Sequence, residues 1–417
     1  MTISRYGPRV LPNTEQIIAE CKAQDGLIHG PSIARFEEAF SNRFGGLSAI
    51  ATSYGRMAFL YILKAFGFPP NSEIIFPALT FWIVPEMARV AGFTPVFADV
   101  DPRTFNLDPG AFERAITSRT VAVVPTHLYG LACDLDPILA IARRRNLAVI
   151  EDCAHALGAT YRKQPVGSFG EASFFSFQTL KPLNTYGGGM AVVRNAALAQ
   201  RVADLAAAEP EAQPKEILKK LLQGRIQRIF TRPSVFTFSA FPILYAASHL
   251  NARPDVYLWE KIRHLKALPL SYTQRYTNVQ AALGLAGLNF LDEWNQRTRA
   301  HAQLMNQMLV DLPGVTPPQA PPDREHIYYQ YCTYVPDRDD LVRRCTQRGV
   351  DIETLHVDVC TQLPQFGPVS RAMGAERAAT AVQLPIYQSL SDDQVRLVAR
   401  RVRTAVADLA RQAPAIA

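Results

Sequence analysis

The chain has 417 residues, of which 48% are apolar and 19% charged. That balance belongs to a globular enzyme and excludes a disordered or fibrous chain, and at roughly 100–200 residues per domain the length makes two or three domains, or one large one with an appendage. The net charge is +7, and residues 213–266 carry all of it, with ten Lys or Arg against three Asp or Glu. The remainder sums to zero, so neither the charge nor a helix-turn-helix or RNA-binding signature points to nucleic acid.

The opening residues, MTISRYGPRVLPNTEQ, lack the apolar run of a secretion signal. No stretch of about 18 apolar residues follows, so a cytoplasmic chain without a spanning helix is expected. From about residue 47 to 195, short β-branched runs read as strands: Glu73–Phe76, Thr94–Ala98, Val121–Pro125, Ala148–Ile150 and Met190–Val193. Helical patterns lie between them, at Arg56–Ala65, Phe81–Ala91, Pro109–Ile116 and Pro137–Arg145. This alternation predicts an α/β fold with a mainly parallel central sheet flanked by helices. Ligands in such sheets bind at the carboxyl ends of the strands.

Residues 200–265 break the alternation. Pro214–Phe230 (PKEILKKLLQGRIQRIF) has the spacing of a basic amphipathic helix. Pro233 to Ala252 carries no charged residue, yet its two prolines and its polar residues make it a poor spanning helix. Residues 275–312 read as one long helix, and 337–405 as a mixed α/β segment with a last helix near Asp392–Leu409. The expected division is a large domain over 1–200, an insertion over 201–265 and a small α/β domain over 266–417. The cysteines, at 21, 133, 153, 332, 345 and 360, form no CxxC pair. Neither a disulfide framework nor a metal site is signalled, and reduced thiols are expected.

The chemistry concentrates in residues 149–193. A strand ending at Ile150 delivers Glu151 and Asp152, and a following segment presents Ser176 and Lys181 before a glycine-rich turn. Pyridoxal phosphate is one cofactor that needs such a set. A carboxylate keeps its ring nitrogen protonated, a lysine forms the Schiff base and moves protons, and a hydroxyl binds the phosphate. Taken alone, one Asp and one Lys fit a loop cap and a solvated lysine better.

The wider pattern decides otherwise. The window reads EDCAHALGATY (151–161) and GSFGEASFFSFQTLKPLNTYGGG (167–189). Outside it stand GLIHGPSIARFEEAF (26–40), SEIIFPALTF (72–81), PVFADVDPRTFNLD (95–108), THLYG (126–130), NVQAALGLAGL (278–288) and LPIYQSLS (384–391). In this order they resemble the DegT/DnrJ/EryC1/StrS family of sugar aminotransferases, a branch of the fold type I pyridoxal phosphate enzymes. The resemblance implies roles by position. Lys181 matches the Schiff-base lysine, Asp152 the partner of the pyridine nitrogen, and Ser176 a phosphate ligand. Phe81 matches the aromatic residue that stacks on the ring, and Tyr54 and Gly55 the turn whose N–H groups cradle the phosphate at a helix start.

The chain also departs from the family pattern. It has SYGRMA (53–58) where SGTxA is common, so Arg56 could reach the phosphate or point to solvent. His155 stands where Gln is frequent and is expected near the cofactor, and YGGG (186–189) lacks the usual glutamate. Thr273 matches an asparagine that reaches the phosphate of the partner subunit. The resemblance implies a homodimer with active sites at its interface, an amino-acid donor such as glutamate, and a keto-sugar acceptor carried on a nucleotide. The alternatives are an amphiphilic or lipid-linked ketone, or a non-catalytic regulatory protein of the same fold. For 213–266, packing on the dimer or over the active site is the leading expectation. A peripheral membrane contact and a diphosphate site at Lys219, Lys220, Arg225 or Arg228 stand beside it.

Overall fold

Seven of the apolar runs assemble into one sheet: β1 (Ser48–Thr52), β2 (Glu73–Pro77), β3 (Thr94–Ala98), β4 (Thr120–Val123), β5 (Ala148–Asp152), β6 (Ala172–Ser176) and β7 (Gly189–Val193). In this computed structural model, which describes residues 2–250, 264–265, 267–354, 357–367 and 369–412, their order is β1-β7-β6-β5-β4-β2-β3. Every pairing is parallel except the two made by β7. The sheet is buried on both faces, and successive residues alternate between two cores as the pleat requires. Ile74 and Phe76 of β2 enter one core with Ala191 and Val193 of β7, whereas Ile75, Met190 and Val192 enter the other.

Helices cover each face. The helix Gly55–Phe66 leaves only Lys64 and Phe66 unburied, and it shares its core with helices Ile83–Val90 and Ala196–Ala207. The opposite core holds Phe36 and Phe40, Ile138 and Ile141, and Leu288 and Leu291. The structure is therefore a parallel α/β sheet with helices on both sides. Strands β1 and β6 were absent from the sequence reading. Their short SAIAT and ASFFS runs have polar ends that hide the periodicity.

The long helix Asn278–Leu309 joins two cores. Its first half packs on the sheet, and Ala302, Met305 and Leu309 enter a separate cluster with Val382, Leu384, Val395 and Val398. That cluster also contains a three-stranded antiparallel sheet and the helix Asp392–Gln412. Ile3 from the other end of the chain is buried in it, so the N-terminal segment crosses the expected division.

The insertion forms the expected helix Pro214–Phe230, then helices Pro233–Phe238 and Phe241–His249. Prolines occupy the first turn of each, which suits a residue without an N–H and splits the uncharged stretch in two. Residues 251–263 of the insertion lie outside the described residues. Among the described residues no helix is long and apolar enough to cross a membrane. All six cysteines are buried and free.

Candidate active site

The carboxyl ends of β5 and β6, the start of helix Gly55–Phe66 and the loop 178–188 surround a cavity of about 680 Å³. Strand alternation sends the two acids of β5 to different tasks. Glu151 turns inward and accepts the N–H groups of Gly167 at 2.7 Å and of Phe169 and Gly170 at 2.8 Å. It also faces His127 Nε2 at 3.0 Å. Burial alone would raise its pKa, but the His127 contact and the backbone donors hold it below the usual range. Cys153 completes a buried trio with these two. His127 Nδ1 already accepts the Cys133 N–H at 3.0 Å, so this cluster is a structural clasp whose donor atoms are spent within the protein.

Asp152 instead lines the cavity. Its carboxylate accepts the Ala154 N–H at 3.0 Å. Burial pushes its pKa up to about 6 against the opposing pull of that donor, Lys181, His127 and Thr126. Lys181 lies in a loop held by Phe177, whose N–H donates to Gly188 O at 2.9 Å and whose carbonyl accepts Thr185 N–H at 3.0 Å. Its ammonium stands 5.3 Å from the centre of the Tyr329 ring. Burial lowers its pKa to about 8, Asp152 raises it, and Arg56 lowers it further. A lysine amine lowered in this way is neutral more often than a free one, and the neutral amine is a nucleophile and a base.

The helix start is shaped by close approach. A Cβ on Gly55 would lie 2.7 Å from Phe175 O, and one on Gly189 would lie 2.3 Å from Gly55 N. Both strand ends therefore press on the first turn of the helix, where free N–H groups and the macrodipole favour an anion. Tyr54 caps that turn in an extended conformation, and Ser176 ends β6 beside it. Phe81 walls the cavity ahead of helix Ile83–Val90, which starts two residues later than the sequence spacing predicts. His155 also lines it, its ring 4.4 Å from that of Tyr329.

Seven of the eight residues singled out from sequence thus share one cavity. Thr273 does not line it. Its hydroxyl donates to Leu270 O at 3.4 Å in an exposed loop. Arg56 does not point to solvent. It is buried, donates to the Tyr272 hydroxyl, and lies 4.7 Å over the Tyr272 ring and 5.5 Å over that of Tyr54. The insertion forms the roof, with Lys220, Gln227 and Phe230 lining the cavity and Lys220 reaching 5.1 Å over the Tyr54 ring. Sequence reasoning missed Tyr329. In HIYYQY nothing separates it from its core neighbours.

The donor set fits pyridoxal phosphate: a raised, buried carboxylate, a lowered amine and a helix N-terminus around one cavity. A model of the DegT/DnrJ/EryC1/StrS aminotransferase family matches residues 11–228 and 247–403. GDP-perosamine synthase of Caulobacter vibrioides is 33% identical over 84% of this chain and 83% of its own length. L-glutamine:2-deoxy-scyllo-inosose aminotransferase of Micromonospora echinospora is 35% identical over 73% of this chain and 63% of its own. Among solved structures, DesV of S. venezuelae in complex with a ketimine intermediate aligns with a TM-score of 0.75 at 27% identity, over 94% of each chain.

Proposed function

The chain belongs to the DegT/DnrJ/EryC1/StrS aminotransferase family, and from that premise we propose that it is a pyridoxal phosphate enzyme moving an amino group from an amino acid to a nucleotide-linked keto sugar. One observation carries this reading: Lys181 and Asp152 face the same cavity beside a helix N-terminus whose close backbone packing only Gly55 and Gly189 allow. When bound, the cofactor supplies an electron sink for the carbanion formed at the donor's Cα.

The chain's own residues do the rest. Lys181 anchors the cofactor, then takes the donor's Cα proton with an amine poised near neutrality. Asp152 holds a proton on the ring nitrogen, and that positive charge offsets the burial cost of the carboxylate. The N–H groups at Tyr54 and Gly55, with the Ser176 hydroxyl, bind the phosphate. Phe81 and His155 confine the ring and exclude water. Arg56 and Lys220 give the cavity two cations suited to the diphosphate of a nucleotide sugar. The active assembly is a homodimer in which Thr273 serves the neighbouring site. A relative whose name specifies L-glutamine as donor makes glutamine a candidate beside glutamate.

An amphiphilic or lipid-linked ketone is the second reading. The apolar inner wall of the roof, at Ile226, Phe230 and Phe236, favours it. The test is the visible spectrum of the purified chain with added pyridoxal phosphate. Absorbance should appear, bleach with glutamate or glutamine, and return with an accepted ketone. Lys181→Ala should bind cofactor without that absorbance and lose turnover. Near-normal transamination by the variant, or a wild-type chain that stays colourless, would overturn the assignment.

A further inference from the structure

The outer face of the insertion is out of keeping with the rest of the surface. Among the described residues twelve large apolar side chains are exposed, and ten of them lie between Leu218 and Leu270. In the helix Pro214–Phe230, Leu218, Leu222, Ile226 and Ile229 recur at the three- and four-residue spacing that makes one stripe. Ile217, Leu221 and Gly224 are buried on the opposite side. At about 100° per residue, Lys215, Lys219 and Arg225 fall in the same outward half as the stripe. Glu216 is the helix's lone acid, and no Asp or Glu follows it up to residue 254. Glu15 approaches Arg225 at 3.4 Å. The next two helices extend the face with Phe238, 85% exposed, and Ile243, 57% exposed. The family model matches the chain up to residue 228 and again from 247, so residues 229–246 of this face lie outside the matched pattern.

We propose that this face rests on an anionic lipid surface. The stripe of Leu218, Leu222 and Ile229 with Phe238 enters the boundary between headgroups and acyl chains, and Lys215, Lys219 and Arg225 meet lipid phosphates. A second copy of the chain fits the face worse. Seated patch on patch about a two-fold axis, it sets cations against their own copies with almost no acid to neutralise them. Nucleic acid fits it worse again, because a phosphate backbone leaves Leu222 and Phe238 in water. Ile226 and Phe230 are exposed and also line the cavity, so a seated face brings the roof of the active site to the interface. The inference holds whichever ketone the enzyme accepts.

Flotation of the full-length, cofactor-loaded protein tests it, with vesicles of phosphatidylcholine alone and of phosphatidylcholine mixed with phosphatidylglycerol. Three surface cations should favour the anionic vesicles by about tenfold or more, and added salt should reduce the bound fraction. Leu222→Glu/Phe238→Glu, at positions outside the cavity, should lose about tenfold or more of that binding yet still bleach with the amino donor. Lys215→Gln/Lys219→Gln keeps the apolar face and should lose the preference for anionic vesicles. Absence of wild-type flotation, equal flotation with both vesicle types, or unchanged flotation of either variant would overturn the proposal. So would a lipid-free oligomer, seen by light scattering, that Leu222→Glu/Phe238→Glu dissociates, because a second copy would then own the face.

Discussion

Replacing Gly189 by alanine tests whether the phosphate cradle is set by backbone contact. The new Cβ would lie 2.3 Å from Gly55 N and 2.5 Å from both Gly55 Cα and Tyr54 C, all main-chain atoms that cannot rotate away. Relieving the contact from 2.3 Å to an ordinary 3.4 Å displaces the helix start by about 1 Å. A misplacement of that size in a binding constellation costs about 100-fold, or about 2.7 kcal/mol. Overpacking should lower stability by about 1–3 kcal/mol as well. The assay is titration of cofactor-free protein with pyridoxal phosphate, followed by absorbance, beside urea unfolding. Gly189→Ala should bind about 100-fold more weakly, whereas Gly110→Ala should bind normally, since its Cβ meets the movable ends of Arg114 and Asp108 at 3.2 and 3.3 Å. Wild-type affinity and stability in Gly189→Ala would refute the claim that this strand end positions the cradle.

Three further outcomes follow from the same site. Burial raises Asp152 from 3.8 to about 6, so the fold resists its ionised form; that cost is absent below about pH 4, grows up to pH 6 and is complete above it. Cofactor-free Asp152→Asn should therefore gain up to about 3 kcal/mol at pH 8 and nothing at pH 4, while losing transamination, and urea unfolding at both pH values checks the sign. Arg56 helps lower Lys181 to about 8, so Arg56→Ala should move the pH of half-maximal cofactor capture upward, and a downward shift would contradict the arrangement. A Cβ on Gly224 would fall 1.9 Å from Tyr186 Cδ1, so Gly224→Ala should lift the roof and raise KM for the acceptor, leaving the half-reaction with the amino donor nearly intact.

Legibility followed the physics of each element. Strands buried on both faces, such as β2 and β7, write continuous apolar runs and were readable, as were helices with a full apolar stripe. The residues that hold the chemistry sit within a few positions of strand ends, so motif and strand reading converge at Asp152, whereas Ser176 rests on the motif alone because its strand β6 is not legible. What escaped depends on contacts between distant segments. Tyr329 reaches Lys181 from beyond the long helix, and nothing in HIYYQY distinguishes it from Tyr328 or Tyr331. The division of labour between Glu151 and Asp152 needs the loop 166–170, whose N–H groups claim one acid and leave the other. Arg56 was open between phosphate and solvent because its orientation is decided by Tyr272, more than two hundred residues away.

That last contact leads from the altered turn to the roof over the cavity. Arg56 lies over both Tyr54 and Tyr272, whose rings stand 5.2 Å apart, and Lys220 from the roof also lies over the Tyr54 ring. Ser53 also donates to Tyr272 O, which fixes the loop to the turn. A flexible glycine at position 54 would offer no ring to either cation. Each cation–ring contact is worth about 0.5–2 kcal/mol, the upper end applying where water is excluded. The altered turn SYGRMA and the roof helix are therefore parts of one construction, in which aromatic rings accept the positive charge that the basic helix brings over the cavity. Removing the Tyr54 ring should loosen the roof and the phosphate turn together, because the same ring faces both.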